Sequence, residues 1–326
     1  MSATVQNPPH SNAKLVQEER KQRLQRIVRK GLPPFHQTAI ELANILKGTS
    51  PDVHKAGKLI RVDPTLSSQV LRMCNSPMVG LRSRVISIEQ ASLLLGADRL
   101  RNLALSSSVL EFASKALPEA EMAAFWRHSY MAAILTQYLA ECRRYFEKGQ
   151  AYIAGLLHDI GRVPQWMLVM EDKGKAANLP PDGWADNPSV ECGYFGIDHC
   201  QLGGVMAGFW DLMPSFIDVL NNHHTPELAK HDSILVRLVA TTEFFLLAQD
   251  AIQLSPAGSQ DPAEDDAPAS PEDAALLKNI QKMKQLGEGL FGEEEWPNIE
   301  VSLEFEYKRL LPLVQTGLKG VLALER

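Results

Sequence analysis

The sequence predicts an all-α protein made of two packed helical subdomains. From residue 32 onward, helix-starting and helix-stopping residues recur densely, with apolar residues at three- and four-residue spacing between them. No segment shows the period-two alternation that marks a half-buried strand. At 326 residues the chain can bury one large core or two modest ones.

In chain order, residues 1–30 read as a polar, Pro-containing tail followed by the basic helix LVQEERKQRLQRIVRK, expected to be a solvated arm. The first subdomain, 31–118, opens on LPPFHQTAIELANILKG, where Ala39, Ile40, Ala43 and Leu46 fall at helical spacing and Gly48 closes the run. Ser50 before Pro51, and Asp63 before Pro64, each pair an N-cap with a proline that suits the first helical turn. Ser87 with Gln90 forms a capping box ahead of an apolar run that Gly96 stops, and Asp98 starts the next helix through Leu100, Leu103 and Val109.

The second subdomain, 119–253, centres on FWRHSYMAAILTQYLAECRRYF, GQAYIAGLLHDIG, HCQLGGVMAGFW, SFIDVLNNHH and SILVRLVATTEFFLLAQ. Residues 254–273 are rich in Pro, Ala, Ser and acid, a composition that cannot offset its own ordering entropy, and read as a flexible acidic insertion. Helical patterning resumes in 274–326, at Ala274–Leu286 and Val301–Leu324.

Composition narrows the function. The net charge of −6 argues against nucleic acid as the main partner, because phosphate binding needs clustered positive charge. The basic helix is the feature on which a nucleic-acid reading would rest. No segment approaches the length of uninterrupted apolar residues needed for a membrane span, and the N-terminus lacks an apolar signal core, so the expected compartment is the cytoplasm. Cys74, Cys142, Cys192 and Cys200 form no CxxC pair and read as free core thiols. Cys200, beside His199, could sit near a metal.

Five of the nine histidines fall between 128 and 224. They are His128, His158, His199, His223 and His224, and Asp159 follows His158 directly. Imidazole and carboxylate together suit Zn²⁺, Mn²⁺ or Fe, and one carboxylate can bridge two ions that histidines hold from outside. Taken alone, His128 would be a packing histidine and His199 an ordinary helix N-terminal residue. The order H…HD…H…HH on successive helices makes a shared divalent-metal site the stronger reading.

His128, His158 and Asp159 resemble the H…HD pattern of the HD superfamily of metal-dependent phosphohydrolases. GLLHDIG with His199 and the His223-His224 doublet also resembles the cyclic di-GMP phosphodiesterase branch, HD-GYP. A longer resemblance is to the HDOD (HD-related output domain) family. IRVDPTLSSQVLRMCNS, ASLLLGADRLRNLAL, FWRHS, AYIAGLLHDIGRV, GIDHCQLGG and HHTPE occur in that family's order, over roughly residues 32–250.

This resemblance implies an N-terminal HDOD helical subdomain, an HD-like helical subdomain, and a role in bacterial signal transduction. The expected partner is a separate signalling protein or a small nucleotide-like ligand, met at the cleft between the subdomains. Three departures point away from turnover. Thr241 stands where catalytic relatives carry a final Asp, with Glu243 expected on the other side of its helix. Arg162 replaces the phosphodiesterases' Lys as a ligand-binding residue, and Thr-Pro-Glu follows the doublet where GYP would be. The expected function is an output or scaffold protein with a degenerate metal site, and the alternative is a metal-dependent phosphohydrolase or cyclic-dinucleotide phosphodiesterase.

Overall fold

The computed structural model describes residues 10–31, 41, 53–77, 79–172, 187–254 and 271–323. The expected helix ending at Gly48, the Ser50-Pro51 cap and most of the acidic insertion lie outside them. The described residues contain α-helices and short helical turns, with no strand among them.

The N-terminal part comprises α1 (His10–Arg26), α2 (Val53–Val62), α3 (Pro64–Cys74) and α4 (Ile88–Ala116). Asp63 caps α3 as expected, its carboxylate accepting from Leu66 N at 3.0 Å. Ser87 Oγ likewise accepts from Gln90 N, but the Gln90 side chain returns to Ile86 N, one residue before the position a capping box would use. Gly96 breaks α4 at φ +75°, a conformation open to a residue without Cβ. Two helical runs are thereby joined into one bent element.

The second part comprises α5 (Glu119–Cys142), α6 (Lys148–Leu157), α7 (Arg162–Asp172), α8 (Pro188–Phe195), α9 (His199–Phe209), α10 (Pro214–Asn222) and α11 (Ser233–Leu254). Helices α12 (Pro271–Phe291) and α13 (Trp296–Ala323) complete the chain, packing on α11 and α5. The apolar faces meet in one continuous core that runs from Leu24 to Val314, with Trp126, Trp296, Phe195 and Phe216 fully buried in it.

Helix α1 is docked rather than solvated. Leu24 is fully buried, and Ile27 and Val28 nearly so. Arg23 pairs with Glu171 and Asp172, and Gln17 donates to Cys192 O. Arg20 donates to Tyr194 O, with its guanidinium 3.6 Å from the Tyr194 ring centre. Two cations of this basic helix are therefore used within the chain. Among the thiols, Cys74 and Cys200 are buried as expected, but Cys142 is exposed and Cys192 half-buried.

Candidate metal centre

The HD dipeptide sits where α6 ends. His158 is its C-cap, and Asp159 begins the turn that leads into α7. Gly161 lets α9 come close to this turn: a Cβ there would run into His199 O and lie 2.6 Å from Gly203 N. The missing side chain lets α9 rest on the turn, which brings His199 to Asp159. His128 comes from α5, His223 caps α10, and His224 follows it.

All six predicted site residues converge, in two groups that share Asp159. On one side are His128, His158, Asp159 and Glu243, and on the other His199, Cys200, His223 and His224. Asp159 faces both. Its Oδ2 lies 3.3 Å from His128 Nε2 and 3.4 Å from His158 Nε2. Its Oδ1 lies 3.4 Å from His199 Nε2 and 3.6 Å from His223 Nε2.

Glu243 overturns the expectation that the carboxylate downstream of the doublet points away from the site. Its Oε2 lies 3.0 Å from His128 Nε2 and 3.1 Å from His158 Nε2, and the residue is fully buried. The helix places Thr241 elsewhere, with its hydroxyl donating to Arg237 O. Thr241 and Glu243 do point to different sides of α11, and it is the Glu243 side that faces the histidines. A carboxylate inside the apolar run LVATTEFFLL was the available signal, since a buried charge is costly unless something pairs it.

Two further residues join the site: Glu191, which the sequence did not single out, and Cys200, whose place beside His199 had suggested it. Glu191, fully buried on α8, accepts from His199 Nδ1 at 2.8 Å and from His199 N at 2.7 Å, and is steadied by Gln165 Nε2 at 3.0 Å. Cys200 Sγ lies 3.4 Å from His199 Nε2 and 3.8 Å from His223 Nε2. Nothing in the spacing of Glu191 marks it as a partner of His199.

Hydrogen bonds fix the ring tautomers. His158 Nδ1 faces Gly155 O at 2.7 Å and His223 Nδ1 faces Val219 O at 3.1 Å. A carbonyl can only accept, so both Nδ1 atoms carry hydrogen and donate. His199 Nδ1 donates to Glu191 in the same way. In their neutral forms these rings present Nε2 lone pairs to the interior, the usual arrangement behind metal-binding histidines.

Charges are held in place against desolvation. Burial pushes Asp159 upward, but Arg162 and His158 outweigh it and keep the carboxyl ionised. Glu243 is likewise held well below the carboxylate range by His128 despite burial. Burial would also raise Cys200, yet His223 and His199 bring its thiol down to about 7. His224 is lowered well below the ordinary value by burial and by His223 and His199.

The donor set fits divalent metal ions. Nε2–Nε2 separations of 3.2 Å, for His128–His158 and for His199–His223, place like lone pairs against one another. Two nitrogens sharing one ion at about 2.0–2.1 Å each stand about 3.0–3.4 Å apart. Both Asp159 oxygens and Glu243 Oε1 are buried without an aligned hydrogen bond. A cation in each group would satisfy all of these atoms together. His128, His158, Asp159 and Glu243 would hold one ion, and Asp159, His199, His223 and His224 the other.

Arg162 lies against the same carboxylates, its Nε 2.9 Å from Asp159 Oδ2 and Nη2 3.9 Å from Glu243 Oε1, with a tenth of its side chain exposed. A cavity of about 590 Å³ opens at His224, with Arg237, Lys282, Glu227 and Phe244 among its walls. A second, of about 750 Å³, lies in the N-terminal part. Arg72, Arg82 and Arg84 line it, with no carboxylate among the described lining residues.

An all-helical chain in which a histidine–aspartate pair is surrounded by further histidines has the architecture of an HD-type helical protein. The HDOD domain matches residues 32–226, more than half of the chain, and the protein belongs to the HDOD family. Among solved structures it is similar to an HDOD domain protein of unknown function from Geobacter sulfurreducens, with 20% identity and a TM-score of 0.62 over 88% of this chain and 98% of that one. It is also similar to a candidate phosphohydrolase from Shewanella amazonensis SB2B, with 22% identity and a TM-score of 0.61 over 91% and 97%. A candidate signal transduction protein from Marinobacter aquaeolei VT8 shares 18% identity and a TM-score of 0.56, over 95% and 67%. At these identities the likeness is one of fold. An uncharacterised protein of Treponema pallidum (strain Nichols) is 22% identical over 217 residues, which is 64% of this chain and 41% of that relative's length.

Proposed function

We propose that the protein is a bacterial signal-transduction output module in which the HD cluster holds divalent metal as a buried, non-catalytic core. The observation that carries this reading is that each group offers four protein donors, enough to complete a tetrahedral ion, with only His128 and His224 partly exposed among them. His158, Asp159, His199, His223 and Glu243 are all fully buried. Catalytic metal sites keep a coordination position open to substrate, whereas structural sites are closed by protein ligands. Arg162, a fixed cation on the shared carboxylate, further weakens any role for Asp159 in turnover. The module would act in the cytoplasm, answering a separate signalling protein or a nucleotide-like ligand.

One observation favours a second reading, a working phosphohydrolase or cyclic-dinucleotide phosphodiesterase. With Glu243 in place neither group lacks a carboxylate, so the degeneracy inferred at Thr241 no longer supports the first reading. A bound ion pair of this kind supplies a metal-activated water and a clamp on phosphoryl oxygen. The cavity at His224 offers Arg237 and Lys282 to an anion.

Elemental analysis of the purified chain, with phosphatase and cyclic-dinucleotide assays in added Mn²⁺ or Fe²⁺, separates the two. The expected result is bound metal without turnover. Turnover that Asp159→Ala abolishes would overturn the output-module reading.

A further inference from the structure

Building on the proposed metal core, we infer that Cys200 is a thiolate ligand of the second group, making that centre selective for a thiophilic ion such as zinc. The first centre, with nitrogen and oxygen donors alone, is left to a harder ion such as manganese. The argument begins with reach. The donor atoms of His199, Cys200, His223 and His224 all lie within 4.8 Å of one another. Cys200 Sγ is 3.4 Å from one inward-facing nitrogen and 3.8 Å from another. A sulfur at about 2.3 Å and a nitrogen at about 2.0–2.1 Å on one tetrahedral ion stand about 3.5 Å apart.

Hydrogen bonds from protonated His199 and His223 to a Cys200 thiolate would account for the two sulfur contacts, but they leave a buried carboxylate oxygen beside them without a donor. Asp159 Oδ1 is aimed into the same space, 3.4 Å from His199 Nε2, with its side chain 1% exposed and no aligned donor. One cation would satisfy the sulfur, both nitrogens and this oxygen at once, with Cys200 in place of His224 as the fourth donor. Cys200 also stands in the first turn of α9, where the helix N-terminus favours a thiolate. Thiolate in the donor set draws zinc or iron, whereas oxygen-rich sets suit manganese and magnesium.

Cobalt titration into metal-stripped, full-length protein reads this without any assay of turnover. The expected result is a thiolate-to-cobalt charge-transfer band in the near ultraviolet, absent from Cys200→Ser and Cys200→Ala while the histidine-bound cobalt remains. Zinc should displace this cobalt with at least a tenfold preference over manganese, and the preference should fall in both variants. X-ray absorption at the zinc edge of the unaltered protein needs no variant, and should show one sulfur at about 2.3 Å. Cobalt or zinc bound with nitrogen and oxygen neighbours only would overturn the role of Cys200 and leave the metal core standing. So would a charge-transfer band that survives both variants. Protein that takes up no metal would overturn the metal core itself.

Discussion

The two groups of ligands are joined through one carboxylate yet are supported differently. In the His199 group, the ring of His199 is gripped from behind by an ionised, buried carboxylate, Glu191, and His223 by a backbone carbonyl. In the His128 group, His158 has only the Gly155 carbonyl behind it, and the group depends instead on Glu243 reaching across from α11. A cation, Arg162, already stands on the Asp159 oxygen of this side. The comparison teaches that one centre is preorganised by its surroundings and the other by a single long-range contact with a competing charge nearby. Affinity and metal preference should therefore differ between them.

Glu243→Gln breaks the comparison most sharply. It removes the charge that faces His128 and His158, and reaches the other group only at the longer His224 Nε2–Glu243 Oε1 separation of 4.0 Å. The expected outcome is a drop from two metal ions per chain to one, read by elemental analysis. Loss of both ions would show that the groups cannot be filled separately.

Glu191→Gln should act in the opposite sense. Removing an outer-shell anchor of this kind costs about 10–100-fold in metal affinity. That loss should fall on the His199 centre alone, as measured by competition with a chelator. It should also cost a few kcal/mol in stability, because His199 N and Nδ1 lose an ionised buried acceptor. Equal weakening of both centres would refute the asymmetry.

The smallest effect concerns Asp218, one turn before His223. Its Oδ2 accepts from the backbone N–H of Lys230 and His231 at 2.8 and 2.7 Å, and its Oδ1 accepts from Asn222. This ties the end of α10 to the start of α11, and so relates the two halves of the site. Burial raises the carboxyl, but these backbone donors outweigh it and hold it below its ordinary value. The folded-state pKa is therefore the lower one. Its stabilisation is complete above the unfolded value, near ~4, and is lost as pH falls through the folded value. Asp218→Asn should cost about 1–2 kcal/mol at neutral pH, and the difference from the unaltered protein should close below about pH 4. Thermal unfolding across that range measures it, and a gap that persists at low pH would contradict the assignment.

Much of the site was legible because its residues are chemically improbable as core. Five histidines and an HD pair on apolar helices announce a polar centre, and the caps at Asp63 and Ser87 mark where helices begin. Glu243 carried the same signal, a carboxylate in a run of apolar residues. It was misjudged because helical phase was anchored on Thr241, whose hydroxyl is satisfied within its own helix. The basic helix near the N-terminus was misread for a related reason. Its arginines look solvated until Glu171, Asp172 and Tyr194, about 150 residues away or more, are folded beside it.

By itself, then, the sequence determined the helical class, the family, and the HD pair with the four histidines that gather around it. These follow from local periodicity and from residue chemistry, both carried by short stretches of chain. Tertiary structure alone decided which ligands share a side, that Asp159 turns one oxygen to each, and that Glu191 and Glu243 join them. Those facts depend on how α8, α9 and α11 meet the turn after α6, where Gly161 leaves no room for a side chain. Contact across that distance is set by packing, which spacing along the chain does not encode.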